Sequence, residues 1–159
     1  MAGYLKFGDR NFVGTLKASS DDVPNGIFVE MDYVNAQGDV PSDDATGVLG
    51  FVQNEIDWLD SHGKDDRTFT VDTGASLKLS QPKNGKMYIT DEIGSTYASV
   101  TQGIEMGVGA DGKLYLIADL TAANFTTFHT TFIVKEKTTL WGEEAVIVVA
   151  IKIIGIKEE

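Results

Sequence analysis

Apolar residues along the chain fall in short runs, not at the three-and-four spacing of a helix. Runs rich in Val, Ile, Thr, Phe and Tyr occupy 4–7, 12–18, 27–33, 47–53, 68–71, 76–79, 87–90, 97–101, 113–118, 131–137 and 145–156. Turn-forming residues separate them: Gly8-Asp9, Pro24-Asn25-Gly26, Gln37-Gly38-Asp39, His62-Gly63-Lys64, Asn84-Gly85, Gly103, Asp111-Gly112 and Trp141-Gly142. Branched and aromatic side chains fit a pleated surface, and Gly, Asn and Asp reverse the chain between strands. The pattern predicts an all-β fold, an antiparallel sandwich or small barrel. Helix is expected only as short turns near 54–60, where Asn54 or Asp57 would cap, and near 121–124. Segment 36–46 lacks apolar periodicity and reads as a surface loop or a long hairpin tip.

Two runs carry more than a strand assignment. The last, 145–156, is apolar at successive positions, with Val146, Ile147, Val148, Val149, Ile151, Ile153, Ile154 and Ile156. A strand buried on both faces has that pattern, so it is expected at the centre of the core with one face near a contact with a further subunit or partner. Glu143-Glu144 before it and Lys157-Glu158-Glu159 after it look like guards against aggregation. The first, 4–17, sets Tyr4-Leu5-Lys6-Phe7 and Phe12-Val13-Gly14-Thr15-Leu16-Lys17 either side of Gly8-Asp9-Arg10-Asn11. It reads as the first hairpin of the core, or as an arm that adds strands to a neighbouring chain. Tyr4, Leu5, Phe7, Phe12 and Val13 are its candidate interface residues. No linker, repeat or low-complexity tract divides the rest, so the expected layout is an arm or hairpin at 1–20 and one β domain at 21–159.

The segment Thr101-Gln102-Gly103-Ile104-Glu105-Met106-Gly107-Val108-Gly109-Ala110-Asp111-Gly112-Lys113-Leu114 reads as a strand, a turn and a return strand. Asp-Gly suits a type I′ hairpin, in which both central residues need positive φ. With its flank from Thr90 to Leu116 it resembles a segment of the head decoration, or capsid cement, proteins of tailed bacteriophages, over roughly a sixth of the chain. The resemblance implies a β-rich structural virion protein that binds the outside of an icosahedral head and stabilises it by bridging capsomers. Its implied partners are the major capsid protein and further copies of itself, as in a trimer. Its implied location is the virion surface, after synthesis in a host cytoplasm. The competing reading is a carbohydrate- or host-surface-binding β-sandwich from a phage tail or fibre. A solvent-facing row of Tyr and Trp would favour sugar, and buried aromatics would favour the shell.

Composition narrows the chemistry. Thirteen Lys and Arg against 24 Asp and Glu leave a net charge of −11. An acidic surface repels phosphate backbones, which argues against nucleic acid as a partner. There is no cysteine, hence no thiol catalysis, no Cys-ligated zinc and no disulfide. The N-terminal residues lack the basic and apolar regions of a signal peptide. Run 145–156 is too short to span hydrocarbon as a helix and is interrupted by Lys152. No membrane is therefore expected as a partner.

Catalytic signals are weak. Only His62 and His129 could act as imidazole bases, one in an acidic turn and one in an alternating strand-like stretch. A metal site joining His62 to Asp60, Asp65 or Asp66 matches no known spacing. No G-x-S-x-G elbow or phosphate-binding loop is present. Asp21-Asp22 and Asp43-Asp44 are acidic loop pairs, with calcium as the alternative to simple solvation. The reading is a non-enzyme with no cofactor, metal or catalytic residue.

Overall fold

The computed structural model describes residues 16–54, 70–120 and 130–153. Tyr4, Leu5, Phe7, Phe12 and Val13 lie outside them, as do the two expected helical turns beyond Asn54. The architecture is almost entirely β, in sheets that form a nearly closed, barrel-like sandwich.

The first half builds a small barrel. Its strands are β1 (Leu16–Ala18), β2 (Val23–Pro24), β3 (Phe28–Asp32), β4 (Gln37–Asp39), β5 (Leu49–Val52), β6 (Thr70–Val71), β7 (Ser76–Leu77) and β8 (Leu79–Ser80). One sheet runs β7-β1-β4-β3-β5-β8, while β2 and β6 pair separately. Only Lys78 separates β7 from β8, so the two edges of that sheet are one bent segment and the sheet closes on itself. Leu16, Ala18, Val29, Met31, Val52, Leu77 and Leu79 form its core, joined by Val23, Ile27 and Val71. A barrel of so few strands leaves little interior room. Two glycines supply it. A Cβ at Gly38 would lie 2.8 Å from Leu77 Cδ1, and one at Gly50 would lie 3.2 Å from Leu79 Cβ and Met31 Sδ.

The second half builds a five-stranded sheet, ordered β11-β10-β12-β13-β9. Its strands are β9 (Met87–Thr90), β10 (Glu105–Val108), β11 (Leu114–Leu116), β12 (Thr130–Leu140) and β13 (Glu143–Ile153). The chain leaving β9 lies along β11, where Ile93 bridges Leu114 in parallel. The inner face of this sheet packs on the outside of β3 and β5. Phe28, Leu49 and Phe51 meet Tyr88, Met106, Val108, Leu114, Phe132, Val134, Val146, Val148 and Ala150 in a second core. Phe28 is central, with ring centroids 5.0 Å from Phe51, 4.8 Å from Phe132 and 5.6 Å from Tyr88.

Several local expectations change. Residues 37–39, read as loop, form β4, and β4 pairs with β1 in parallel in an otherwise antiparallel barrel sheet. Its short residues around inward-facing Gly38 carry no apolar signal. Tyr97–Ser99, read as strand, is a 3-10 turn, as are Ala110–Gly112 and Ile117–Asp119. The last strand is central, between β12 and β9, but is not buried on both faces. Val146, Val148 and Ala150 are buried while Ile147, Val149 and Ile151 are half-buried. Its other face lies on the outside of the sheet, where the register sets Ile147 beside Ile89 and Val149 beside Met87 and Ile133. Among the described residues no helix is long and apolar enough to cross a membrane.

Candidate functional site

The residue types of a serine nucleophile and its base do meet in this fold. Lys86 Nζ donates a hydrogen bond to Ser80 Oγ, and Ser80 Oγ lies 3.4 Å from the Tyr88 hydroxyl. The ammonium also sits 5.3 Å from the Tyr88 ring centroid. Burial pushes the Lys86 amine down to about 8, and burial pushes Tyr88 far above the usual phenol range against the Ser80 hydrogen bond. A lysine of that kind is a base in some serine hydrolases. Here Ser80 is 0% exposed and Tyr88 is wedged among Phe28, Phe51 and Phe132. No substrate carbonyl can approach the hydroxyl, so the trio is a polar bridge within the core. The sequence does not announce it, because Ser80 and Lys86 meet only when β8 turns back into β9.

The acidic loop pairs are also structural. Asp21 accepts the Thr73 N–H at 2.9 Å, and the Thr73 backbone and side-chain bonds hold its carboxyl below the usual carboxylate range. Asp22 accepts the Thr70 hydroxyl at 3.4 Å, while its own N–H donates to Asp72 at 3.5 Å. These bonds fasten the loop before β2 to the ends of β6. Asp43 accepts the N–H of Asp44 at 2.9 Å. Among the described residues no three His, Asp or Glu side chains converge as a metal cage. His62 and His129 lie outside those residues.

The surface feature that stands apart is the β12–β13 hairpin. Beyond the pairing of β13 with β9 at Val146, it runs on as a two-stranded ribbon through Thr138–Ala145, Thr139–Glu144 and Leu140–Glu143. A two-residue loop, Trp141-Gly142, closes it with φ of 55° and 83°. Two positive values are the signature of a type I′ turn. Glycine takes such a φ without cost, and asparagine tolerates it. A bulky residue there is an outlier. The Trp141 side chain is 64% exposed, so no core contact accounts for it.

Tyr97 braces this ribbon. Its hydroxyl donates a proton shared between Thr138 O at 3.0 Å and Ala145 O at 3.1 Å, one carbonyl from each strand. Lys137 Nζ in turn donates to Tyr97 O at 2.9 Å and lies 4.1 Å from its ring centroid. At the foot of the hairpin Tyr97 lines a cleft of about 550 Å³ with Asp91, Glu92, Ile93, Ser95, Glu143 and Glu144. Burial and the neighbouring Asp91 charge raise the Glu92 carboxyl above its ordinary range, opposed by Lys113, whose Nζ is 4.0 Å away.

The remaining aromatics separate cleanly. Phe28, Phe51, Phe132 and Tyr88 are buried. Tyr115 rests on two glycines, since a Cβ at Gly94 would lie 2.1 Å from its ring and one at Gly109 2.7 Å away. Tyr33 is 57% exposed beside Val34 in the β3–β4 turn, where Asp32 accepts the N–H groups of Val34 and Asn35. Only Tyr33 and Trp141 are largely exposed among the described aromatics, each in its own turn. Searches against protein-family models, curated proteins and solved structures found no match to the chain.

Proposed function

We propose that this chain is a non-catalytic structural subunit that docks on a larger protein shell, as a decoration or cement protein docks on a tailed-phage head. The observation that carries this reading is the braced hairpin, which presents an exposed tryptophan in a turn that does not favour one. Three further features support it: the all-β architecture, the acidic surface, and the 101–114 segment with its resemblance to decoration proteins. Docking of this kind works through interface area and a few anchors, with no reacting group required. The sugar-binding alternative has less support, because the described aromatics form a core and two separate turns, not an exposed row.

Co-sedimentation tests the reading. The purified chain is mixed with tailed-phage head shells assembled from major capsid protein alone. Saturable binding and a higher shell melting temperature are expected. A chain that stays in the supernatant at every ratio would remove the capsid from the proposal.

A further inference from the structure

We infer that the hairpin tip Leu140–Trp141–Gly142 is the docking anchor, and that it fits a protein surface offering an apolar pocket rimmed by lysine or arginine. The inference rests on the reading of the chain as a docking subunit, but not on the partner being a capsid. Three observations converge. Trp141 occupies a left-handed turn position at φ 55°, where Asn would be favoured, and its side chain remains largely exposed. Backbone outliers with no packing role concentrate where a side chain is needed for binding. The tip is held in place before any partner arrives, because Tyr97 ties both strands of the ribbon together. Such preorganisation lowers the entropy lost on binding, and Trp is enriched among the residues that dominate interfaces.

Charge selects the occupant. Glu143 and Glu144 follow the tip directly, and Asp91 and Glu92 line the cleft at its foot. On a chain of net charge −11 this surface repels a second copy and an anionic bilayer alike. It complements a basic rim around an apolar pocket.

Trp141→Asn gives the test its discriminating variant. Asparagine suits the turn better than tryptophan, so the variant should melt at or above the temperature of the wild type. The first probe is an immobilised peptide of alternating Leu and Lys, with Ser-Lys and Leu-Glu peptides as controls. The wild type should bind the Leu-Lys peptide, and Trp141→Asn should bind it about tenfold more weakly or worse. Both control peptides should also bind the wild type more weakly by about that factor. Equal affinity of variant and wild type overturns the proposal, and so does a variant that melts well below the wild type. Trp141-dependent binding to phosphatidylcholine vesicles would replace a protein pocket with a membrane. Trp141-dependent self-association by sedimentation equilibrium would replace it with a second copy. The head shells separate this inference from the functional reading. Peptide binding without shell binding sinks the capsid and keeps the tip. Shell binding unchanged in Trp141→Asn keeps the capsid and sinks the tip.

Discussion

Glycines with positive φ fall into two physical classes in this chain. Gly112 and Gly142 both sit in hairpin turns, at φ 71° and 83°. A Cβ on Gly142 would meet nothing within 4 Å, whereas one on Gly112 would lie 2.2 Å from the Phe28 carbonyl oxygen. The Asp111-Gly112 turn has both central residues at positive φ, as the Asp-Gly pair implies, but while Asp111 is exposed, Gly112 is buried against the barrel. Gly142→Ala should therefore cost about 1 kcal/mol, the conformational penalty alone. Gly112→Ala should cost about 3 kcal/mol or more, because overpacking adds to strain. Denaturant midpoints for the two variants measure the difference, and equal midpoints would show that the Gly112 turn is not seated on Phe28. A second residue-scale effect is acid–base. Burial raises the Glu30 carboxyl above its ordinary 4.5, opposed by the Gly47 N–H bond and reinforced by Asp39. A raised folded-state pKa means the native state holds the proton longer, so its stabilisation is present below 4.5 and is lost as pH rises through the folded value. Glu30→Gln, which can still accept the Gly47 N–H, should raise the melting temperature near pH 7. The gain should vanish near pH 4. A gain equal at both pH values would mean that titration is not its cause.

At the scale of elements, β13 shows how far a hydrophobic run can be read. Its strand character and central place are legible from a dense run of Val and Ile. Its facing is not, because half-buried and buried positions carry the same residue types. The alternation from Val146 to Ile151 puts Val148 at 0% exposure in the core while Ile147 is half-buried outside it. Val148→Asp should abolish folding, since a buried carboxylate with no partner is costly. Ile147→Asp and Ile151→Asp should leave a folded, destabilised protein. Circular dichroism of these variants checks the assignment. A folded Val148→Asp, or an unfolded Ile147→Asp, would reverse the faces. The ribbon beyond Val146 follows a different rule: it is held by its own cross-strand pairs and by Tyr97, which the sequence places some forty residues away.

At the scale of the molecule, two cores share two strands. From β3 and β5, Phe28, Leu49 and Phe51 face the sandwich while Val29, Met31 and Val52 face the barrel interior. Neither core can lose these strands and keep its own packing, so both should melt together. Leu79→Ala in the barrel and Met106→Ala in the sandwich should each cost about 2–5 kcal/mol. Each should shift one calorimetric transition rather than split it. Two resolved transitions in either variant would show that the halves fold separately.

The sequence alone determined the class of this protein. Branched and aromatic runs between Gly, Asn and Asp turns dictate strands, because those preferences are local and act wherever the chain lies. It also determined the acidic surface and the Asp111-Gly112 and Trp141-Gly142 reversals. Only the tertiary structure decided closure of the barrel through Lys78, the parallel pairing of β1 with β4, and the outer facing of Ile147. It alone brought Lys86 to Ser80 and left Trp141 largely exposed. Each of these depends on contacts between residues distant in sequence, and local residue preference carries no information about which distant surface will arrive. Trp141 is the instructive case. A Trp-Gly pair between two long β runs signals a hairpin by its glycine, but whether its tryptophan is core or surface depends on how far the ribbon outruns the sheet beside it.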